Sequence, residues 1–144
     1  MNIYEQLIVS LKQIHEETVE VLRPNENEGI SHGQMFLLFA IYNHGQIKTT
    51  DIANHFGITP GAATSIADKL ESLGLIERQR NTQDRRVVMI TLSDKGREYV
   101  VHTKKRNVEK LEQILFSVSE EKLQATIQAI DEISTIFKAV NTNK

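Results

Sequence analysis

The segment 82–96, T-Q-D-R-R-V-V-M-I-T-L-S-D-K-G, constrains the fold more than any other part of this chain of 144 residues. Its first five residues are too polar to build a core. They separate two segments, 75–80 and 86–92, in which residues alternate as they do in β-strands. Two strands joined by a turn that carries Arg85 and Arg86 form a β-ribbon with a cationic tip.

Two short helices are predicted directly before this ribbon. The first spans 49–56, where threonine hydroxyls are available to cap the start, Asp51 lies in the first turn, and Gly57 ends the helix. The second begins at Thr59-Pro60, with Thr as the N-cap and Pro at the first helical position, and it stops at Gly74. The short, glycine-containing connection is typical of a helix-turn-helix. A helix-turn-helix followed by a basic ribbon predicts a winged helix that binds DNA.

Longer amphipathic helices are predicted on both sides of the winged segment, because apolar residues recur there at three- and four-residue steps. We therefore predict a mainly α fold with a small β-wing (α+β). In this prediction 1–144 is one domain, 32–92 is the winged helix-turn-helix, and 1–22 with 95–140 is a helical dimerisation region.

The apolar stripes of the terminal helices are too long for the small winged segment to cover. A stripe that its own chain cannot cover is usually covered by a second chain. The sequence thus predicts a homodimer, which would present two recognition helices to a palindromic operator with half-sites about one helical turn apart. A monomer in which these helices form a cap is the alternative.

The charge distribution qualifies the net charge of −2, which by itself argues against a nucleic-acid partner. Residues 1–47 carry two basic and six acidic side chains, whereas 48–92 carry six basic and five acidic ones. Because the local field matters more than net charge at an interface, the basic ribbon remains compatible with DNA binding.

The sequence contains no cysteine, which excludes disulfides, thiolate metal sites and thiol-based redox sensing. It has no apolar run of about 18 residues that would predict a transmembrane helix. The first residues lack the basic start and the continuous apolar stretch of a signal peptide. We expect a cytoplasmic protein without a membrane partner.

The predicted helix that starts after Thr59 is the recognition helix, and its small residues would let it approach the floor of the major groove. Threonine and lysine side chains can contact base edges, and the start of the preceding helix can bind phosphate through hydroxyls and free amides. In the narrow, electronegative minor groove a guanidinium fits better than an ammonium. The predicted DNA-binding residues are Thr49, Thr50, Thr59, Gly61, Ala62, Thr64, Ser65, Lys69, Arg78, Asp84, Arg85 and Arg86.

The same residues allow other interpretations. The turn could be a solvated loop with a surface ion pair, and the winged helix could bind a protein partner or belong to a metal sensor. None of the five histidines forms H-x-x-x-H or H-E-x-x-H, so we predict no metal site and no cofactor. The sequence has no Gly-rich phosphate loop and no Ser-His-Asp set with recognisable spacing, so we expect no enzymatic activity.

The chain resembles the multiple-antibiotic-resistance regulator (MarR) family over essentially its whole length. The pattern D-x-R-x-x-x-[apolar]-x-L-[ST]-x-x-G at 84–96 is similar to the wing signature of that family, and 49–58 with 69–76 are similar to its helix-turn-helix. The resemblance implies a homodimeric, cytoplasmic transcription factor, in many cases a repressor that a small aromatic acid releases from DNA. It also implies that Arg86 enters the minor groove and that Asp84 pairs with it and aims it.

The helix that begins after Ser31 is the predicted place for such an effector. Ser31 and Gln34 have the form of a capping box, and strongly apolar residues follow. We expect Met35, Phe39 and Tyr42 to line a small-molecule site near the junction of the dimerisation region and the DNA-binding domain. Aromatic residues at helical spacing also fit an ordinary core, and this alternative remains open.

Overall fold

The computed structural model describes residues 1–143, apart from the side chain of Glu26. The helices are α1 (Ile3–Val21), α2 (His32–His44), α3 (Thr49–Phe56), α4 (Pro60–Ser72), α5 (Asp94–Ile114) and α6 (Glu120–Thr142). The strands are β1 (Ile47–Lys48), β2 (Ile76–Arg80) and β3 (Val88–Leu92), and a 3-10 turn covers Glu26–Glu28. The predicted mainly α fold with a small β-wing is confirmed.

Polar caps define the starts of several helices, and the sequence predicted those at Ser31 and Thr59. The Ser31 hydroxyl accepts a hydrogen bond from the Gln34 amide at 3.2 Å, and the Gln34 side chain accepts one from the Ser31 amide at 2.9 Å. Thr59 and Ser119 each accept from the amide three residues further on, both at 3.1 Å. These bonds satisfy amides that have no partner inside the helix.

The start of α3 differs from the prediction that threonine hydroxyls would cap it. The N-cap is Lys48, which makes no side-chain capping bond, and Thr49 is the first helical residue. The Asp51 carboxylate instead accepts from the Lys48 amide at 3.3 Å. The reason is β1, which holds Lys48 in the sheet until the helix begins.

The sheet has three antiparallel strands in the order β1-β3-β2. Ile47 of β1 and Arg78 of β2 both pair with Ile90 of the central strand. The sequence predicted β2 and β3 but not β1, because two residues are too few to show an alternating pattern.

The chain divides into two compact units, residues 1–104 and the residues from 105 onward. In the first unit the core lies between the helices of the helix-turn-helix and the sheet. Leu37, Leu38 and Ile41 of α2 are fully buried there. Residues from the other elements complete this core: Ile52, Ala53, Ala63, Ala67, Leu70, Leu75, Ile76, Ile90, Leu92 and Val100.

The terminal helices are far less covered. Residues 3–21 and 120–142 are all described, and neither α1 nor α6 contains a buried residue. Apolar side chains on α6 are between 51% and 63% exposed, namely Ile127, Ile130, Ile136, Phe137 and Val140. Within residues 1–143, however, no helix has both the length and the hydrophobicity needed to cross a membrane.

Candidate nucleic-acid interface

Helix α4 presents the residues that the sequence placed on the recognition helix. Its apolar residues Ala63, Ala67 and Leu70 are buried, so the opposite side faces solvent. The exposed residues include Thr59, Gly61, Ala62, Thr64, Ser65 and Lys69. The Thr64 hydroxyl donates to the Pro60 carbonyl at 3.0 Å, which leaves its methyl group and its oxygen lone pairs for an outside partner.

The wing carries a bidentate ion pair between Asp84 and Arg86. The two carboxylate oxygens accept from Nε and Nη2 of Arg86 at 3.1 and 3.2 Å, and the Arg86 amide donates to the same carboxylate at 3.1 Å. These side-chain and backbone bonds from Arg86 lower the pKa of Asp84. The Arg86 side chain is nevertheless 91% exposed, so its guanidinium is oriented and remains accessible.

Asn81 organises the turn of the wing, and sequence reasoning missed it. Its side-chain oxygen accepts from the Gln83 amide at 2.8 Å and from the Asp84 amide at 3.3 Å. Arg80 adds a bond from Nη1 to the Arg85 carbonyl at 3.1 Å. An asparagine at the start of a polar turn is a known signal for such bonding, and it was available in the sequence.

Arg78, which the sequence predicted to be a DNA-binding residue, lies against the recognition helix. Its side chain is only 24% exposed, and its guanidinium lies 2.7 Å from the carboxylate of Asp68 on α4. Nη2 also donates to the Thr64 carbonyl at 3.3 Å. The structure therefore places Arg78 between the ribbon and the recognition helix.

The start of α3 lies close to these elements. Thr49 is half-buried and Thr50 is exposed. Thr49, Thr64 and Arg78 line a common recess of about 330 Å³, together with Arg80 and Val88 of the ribbon. The structure thus brings together residues of α3, α4 and both strands of the wing.

The three residues predicted to line an effector site do not share one environment. Met35 is 1% exposed and belongs to the interior, whereas Phe39 is half-buried against the core. Tyr42 is 40% exposed, and Nζ of Lys104 lies 4.3 Å from the centre of its ring. A larger recess of about 530 Å³ is lined by other residues: Glu28, Ile30, Leu73, Leu75, Lys95, Glu98, Tyr99 and His102.

Potential metal ligands are dispersed in the described part of the chain. No group of three or more histidine or acidic side chains there is placed to hold a metal ion. Asp84, Asp68 and Glu71 are each engaged by an arginine instead.

Comparison with known proteins relates this interface to a family. Residues 30–88 match the MarR family model. The chain is 40% identical over 77 residues to the HTH-type transcriptional repressor MdtR of Bacillus subtilis, an alignment that covers 54% of this chain and 50% of MdtR. It spans 50% to 62% of the length of MdtR and of two further regulators from the same bacterium.

Solved structures extend the likeness over most of the chain. The YusO protein of Bacillus subtilis is 28% identical with a TM-score of 0.66, and the match covers 92% of each chain. FabT of Streptococcus pneumoniae, solved in complex with DNA, is 25% identical with a TM-score of 0.75, and the match covers 95% of this chain and 99% of FabT. Residues 30–88 therefore carry a MarR family domain, and the curated relatives that this chain resembles are named as HTH-type transcriptional regulators.

Proposed function

We propose that this protein is a sequence-specific DNA-binding transcriptional regulator, and that it acts in the cytoplasm as a homodimeric repressor. The observation that carries the proposal is the wing, where Arg86 is 91% exposed and Asp84 holds its guanidinium through two hydrogen bonds. An oriented, accessible guanidinium beside an exposed recognition helix matches the needs of minor-groove insertion.

In this proposal α4 lies in the major groove. Thr64, Ser65 and Lys69 would face base edges or phosphates, and the small residues Gly61 and Ala62 would allow close approach. Helix α4 has no Arg, Asn or Gln, which favours shape readout over direct readout as the main source of specificity. Thr49, Thr50, Thr59 and Arg85 would contact the backbone of the same duplex.

The exposed apolar faces of α1 and α6 support the homodimer, since a second copy would remove them from water. Residues 1–22 and 95–140 would form the dimerisation region. A small aromatic effector that binds better to a dimer with mismatched recognition helices would shift the population and release DNA. Of the three predicted effector contacts, Tyr42 is exposed enough to be reached without rearranging the interior.

A selection from random duplex DNA with the purified chain tests this function. The winning duplex is then titrated at two salt concentrations. We expect a palindrome with half-sites about 10 bp apart and an affinity that falls steeply with salt. No enrichment, together with weak binding that vanishes at physiological salt, would contradict the proposal and favour a protein partner for the winged helix.

A further inference from the structure

We propose that Arg78 is a positioning residue, which fixes the recognition helix α4 to the β-ribbon and neutralises two carboxylates of that helix without contacting DNA itself. The proposal rests on the proposed DNA-binding function. It replaces the direct DNA contact that the sequence predicted for Arg78.

Three groups of α4 converge on the Arg78 guanidinium. Nη2 lies 2.7 Å from Oδ1 of Asp68 and donates to the Thr64 carbonyl at 3.3 Å, while Nε lies 3.9 Å from Oε2 of Glu71. Residues 64, 68 and 71 follow one another at four- and three-residue steps and therefore share one stripe of the helix. One side chain of β2 thus spans two turns of α4.

The strand register explains why Arg78 points at the helix. Side chains alternate along a strand, so Arg78 lies on the same face as Ile76, which is buried in the core. The Arg78 side chain is 24% exposed, whereas that of Arg86 is 91% exposed. To reach DNA, Arg78 would have to give up bonds to α4 that Arg86 does not make.

The charges of α4 give this contact an electrostatic role. The helix carries two carboxylates, Asp68 and Glu71, and one ammonium, Lys69. The side chains of Asp68 and Glu71 are 60% and 48% exposed. Without Arg78, the helix would therefore approach the DNA polyanion with a net negative charge. Arg78 brings the local charge to neutrality, and its guanidinium lies within 4 Å of both carboxylates.

The bond to the Thr64 carbonyl adds a geometric role. Thr64 is a predicted base contact, and its carbonyl is tied to a strand residue 14 positions later in the chain. This bond holds the turn of α4 that faces the groove at a set distance from the wing. The base contacts of α4 and the minor-groove contact of the wing therefore both depend on Arg78, although Arg78 itself does not touch DNA.

A rescue experiment with uncharged side chains distinguishes a positioning role of Arg78 from a direct contact between Arg78 and DNA. The full-length chain is compared as wild type, Arg78→Met, and the triple variant Asp68→Asn, Glu71→Gln, Arg78→Met on the selected duplex. We expect Arg78→Met to weaken binding about tenfold and the triple variant to recover the electrostatic part of that loss, because the carboxylates that repel DNA are gone. The part that comes from the lost bond to the Thr64 carbonyl should remain in both variants. An equal loss in both variants, with a salt slope reduced by about 0.9, would identify Arg78 as a phosphate contact and overturn the proposal.

Arg80→Met in the same Asp68→Asn, Glu71→Gln background is the matched control. Arg80 lies on the same strand but bonds to the wing turn, so neutralising α4 should leave the effect of its substitution unchanged. Rescue of this variant as well would mean that the neutral helix improves binding in general, and the assignment to Arg78 would fail.

Thermal unfolding in the absence of DNA tests the contact between Arg78 and α4 independently of the proposed DNA-binding function. Thermal unfolding of Arg78→Met, Asp68→Asn and their double variant should show Tm losses that fail to add by about 1–3 °C, a size set by one partly exposed ion pair. Additive losses would overturn the link between the ribbon and α4. If the coupling is present and wild type binds no duplex, the proposed function fails while the Arg78 contact stands.

Discussion

The winged region and the terminal helices both contain helices with many apolar side chains, but these side chains reach opposite degrees of burial. In α2, Leu37, Leu38 and Ile41 have no exposed surface. In α1 and α6, no residue is buried, and Ile130 and Phe137 of α6 keep more than half of their surface exposed. A single chain therefore buries the apolar core residues of α2 but leaves the apolar residues of α1 and α6 without a buried position.

The difference shows that an apolar stripe predicts a contact without identifying the partner. The buried residues of α2 are covered by side chains of α3, α4, the sheet and α5, all from the same chain. For α1 and α6 the exposed apolar surface has a transfer cost of about 25 cal/mol per Å². That cost favours a second copy as the cover, and substitutions in the two regions can test this contrast.

Substituting one apolar residue in each region should produce the largest difference. Leu38→Ala leaves a cavity in the core, and we expect it to lower the free energy of unfolding by about 2–5 kcal/mol. Ile130→Ala on α6 should cost less than about 0.5 kcal/mol if the chain is a monomer. Urea unfolding at several protein concentrations measures both.

A dimer changes the expectation for Ile130. In the homodimer that we propose, a second copy covers Ile130, so the loss should be larger and the midpoint of unfolding should depend on protein concentration. Equal losses for Leu38→Ala and Ile130→Ala without any concentration dependence would remove the contrast between the two regions.

Gly96 and Gly33 compare a tightly packed backbone position with an open one. A Cβ at Gly96 would lie 2.0 Å from the Leu75 carbonyl oxygen, so Gly96→Ala should disrupt the packing of α5 against the start of the β-ribbon and destabilise the fold by about 1–3 kcal/mol or more. Gly33→Ala is the control, because among the described residues nothing beyond its chain neighbours and its own helix backbone lies within 4 Å of the added Cβ. Thermal melts should place the two variants on opposite sides of wild type, since alanine favours the helix at an open site. Tolerance of Gly96→Ala would mean that this junction is loosely packed.

A substitution in the wing should lower the affinity for DNA without changing the stability of the fold. Arg86→Ala removes a side chain that is 91% exposed, so we expect almost no change in unfolding. Its affinity for the selected duplex should fall by about 1–3 kcal/mol. Asp84→Asn, which keeps the guanidinium but weakens its orientation, should lose less. Fluorescence anisotropy measures both affinities, and an unchanged affinity of Arg86→Ala would refute the wing contact.

The smallest expected effect is a pH dependence at the start of α2. The ring nitrogens of His32 are buried and have no hydrogen-bond partner among the described residues. Burial lowers the pKa of His32 below 6.5, and His15 and Arg23 lower it further. Between pH 6.5 and the lower pKa of the folded state, the unfolded chain binds the proton and the folded chain does not, so stability falls as the pH drops through this range.

Urea unfolding between about pH 5 and pH 8 tests the sign, with His32→Gln as the comparison. We expect the variant to lose part of the pH slope. Asp84 does not confuse the result, because its pKa is lowered below 3.8 and it titrates outside this range. A slope that is the same in both proteins would assign the pH dependence to other groups.

Local signals made most of the fold predictable. Ser31, Thr59 and Ser119 mark helix starts because each cap bonds an amide only three residues away. The wing pair also spans only two residues, so Asp84 and Arg86 could be predicted to meet. Strand β1 could not be predicted, because its two residues are ordered by pairing with β3 more than 40 positions later.

The candidate interface also contains features that depend on near neighbours in the sequence and features that depend on distant segments. The sequence alone determined the helix-turn-helix, the cationic turn and the exposed face of α4, since each depends on neighbours within a few residues. Only the tertiary structure decided that Arg78 forms an ion pair with Asp68 of α4, that Met35 lies in the core and that the Lys104 ammonium lies over the Tyr42 ring. These outcomes depend on which distant segments pack together, because a charged or apolar side chain carries no local record of its partner.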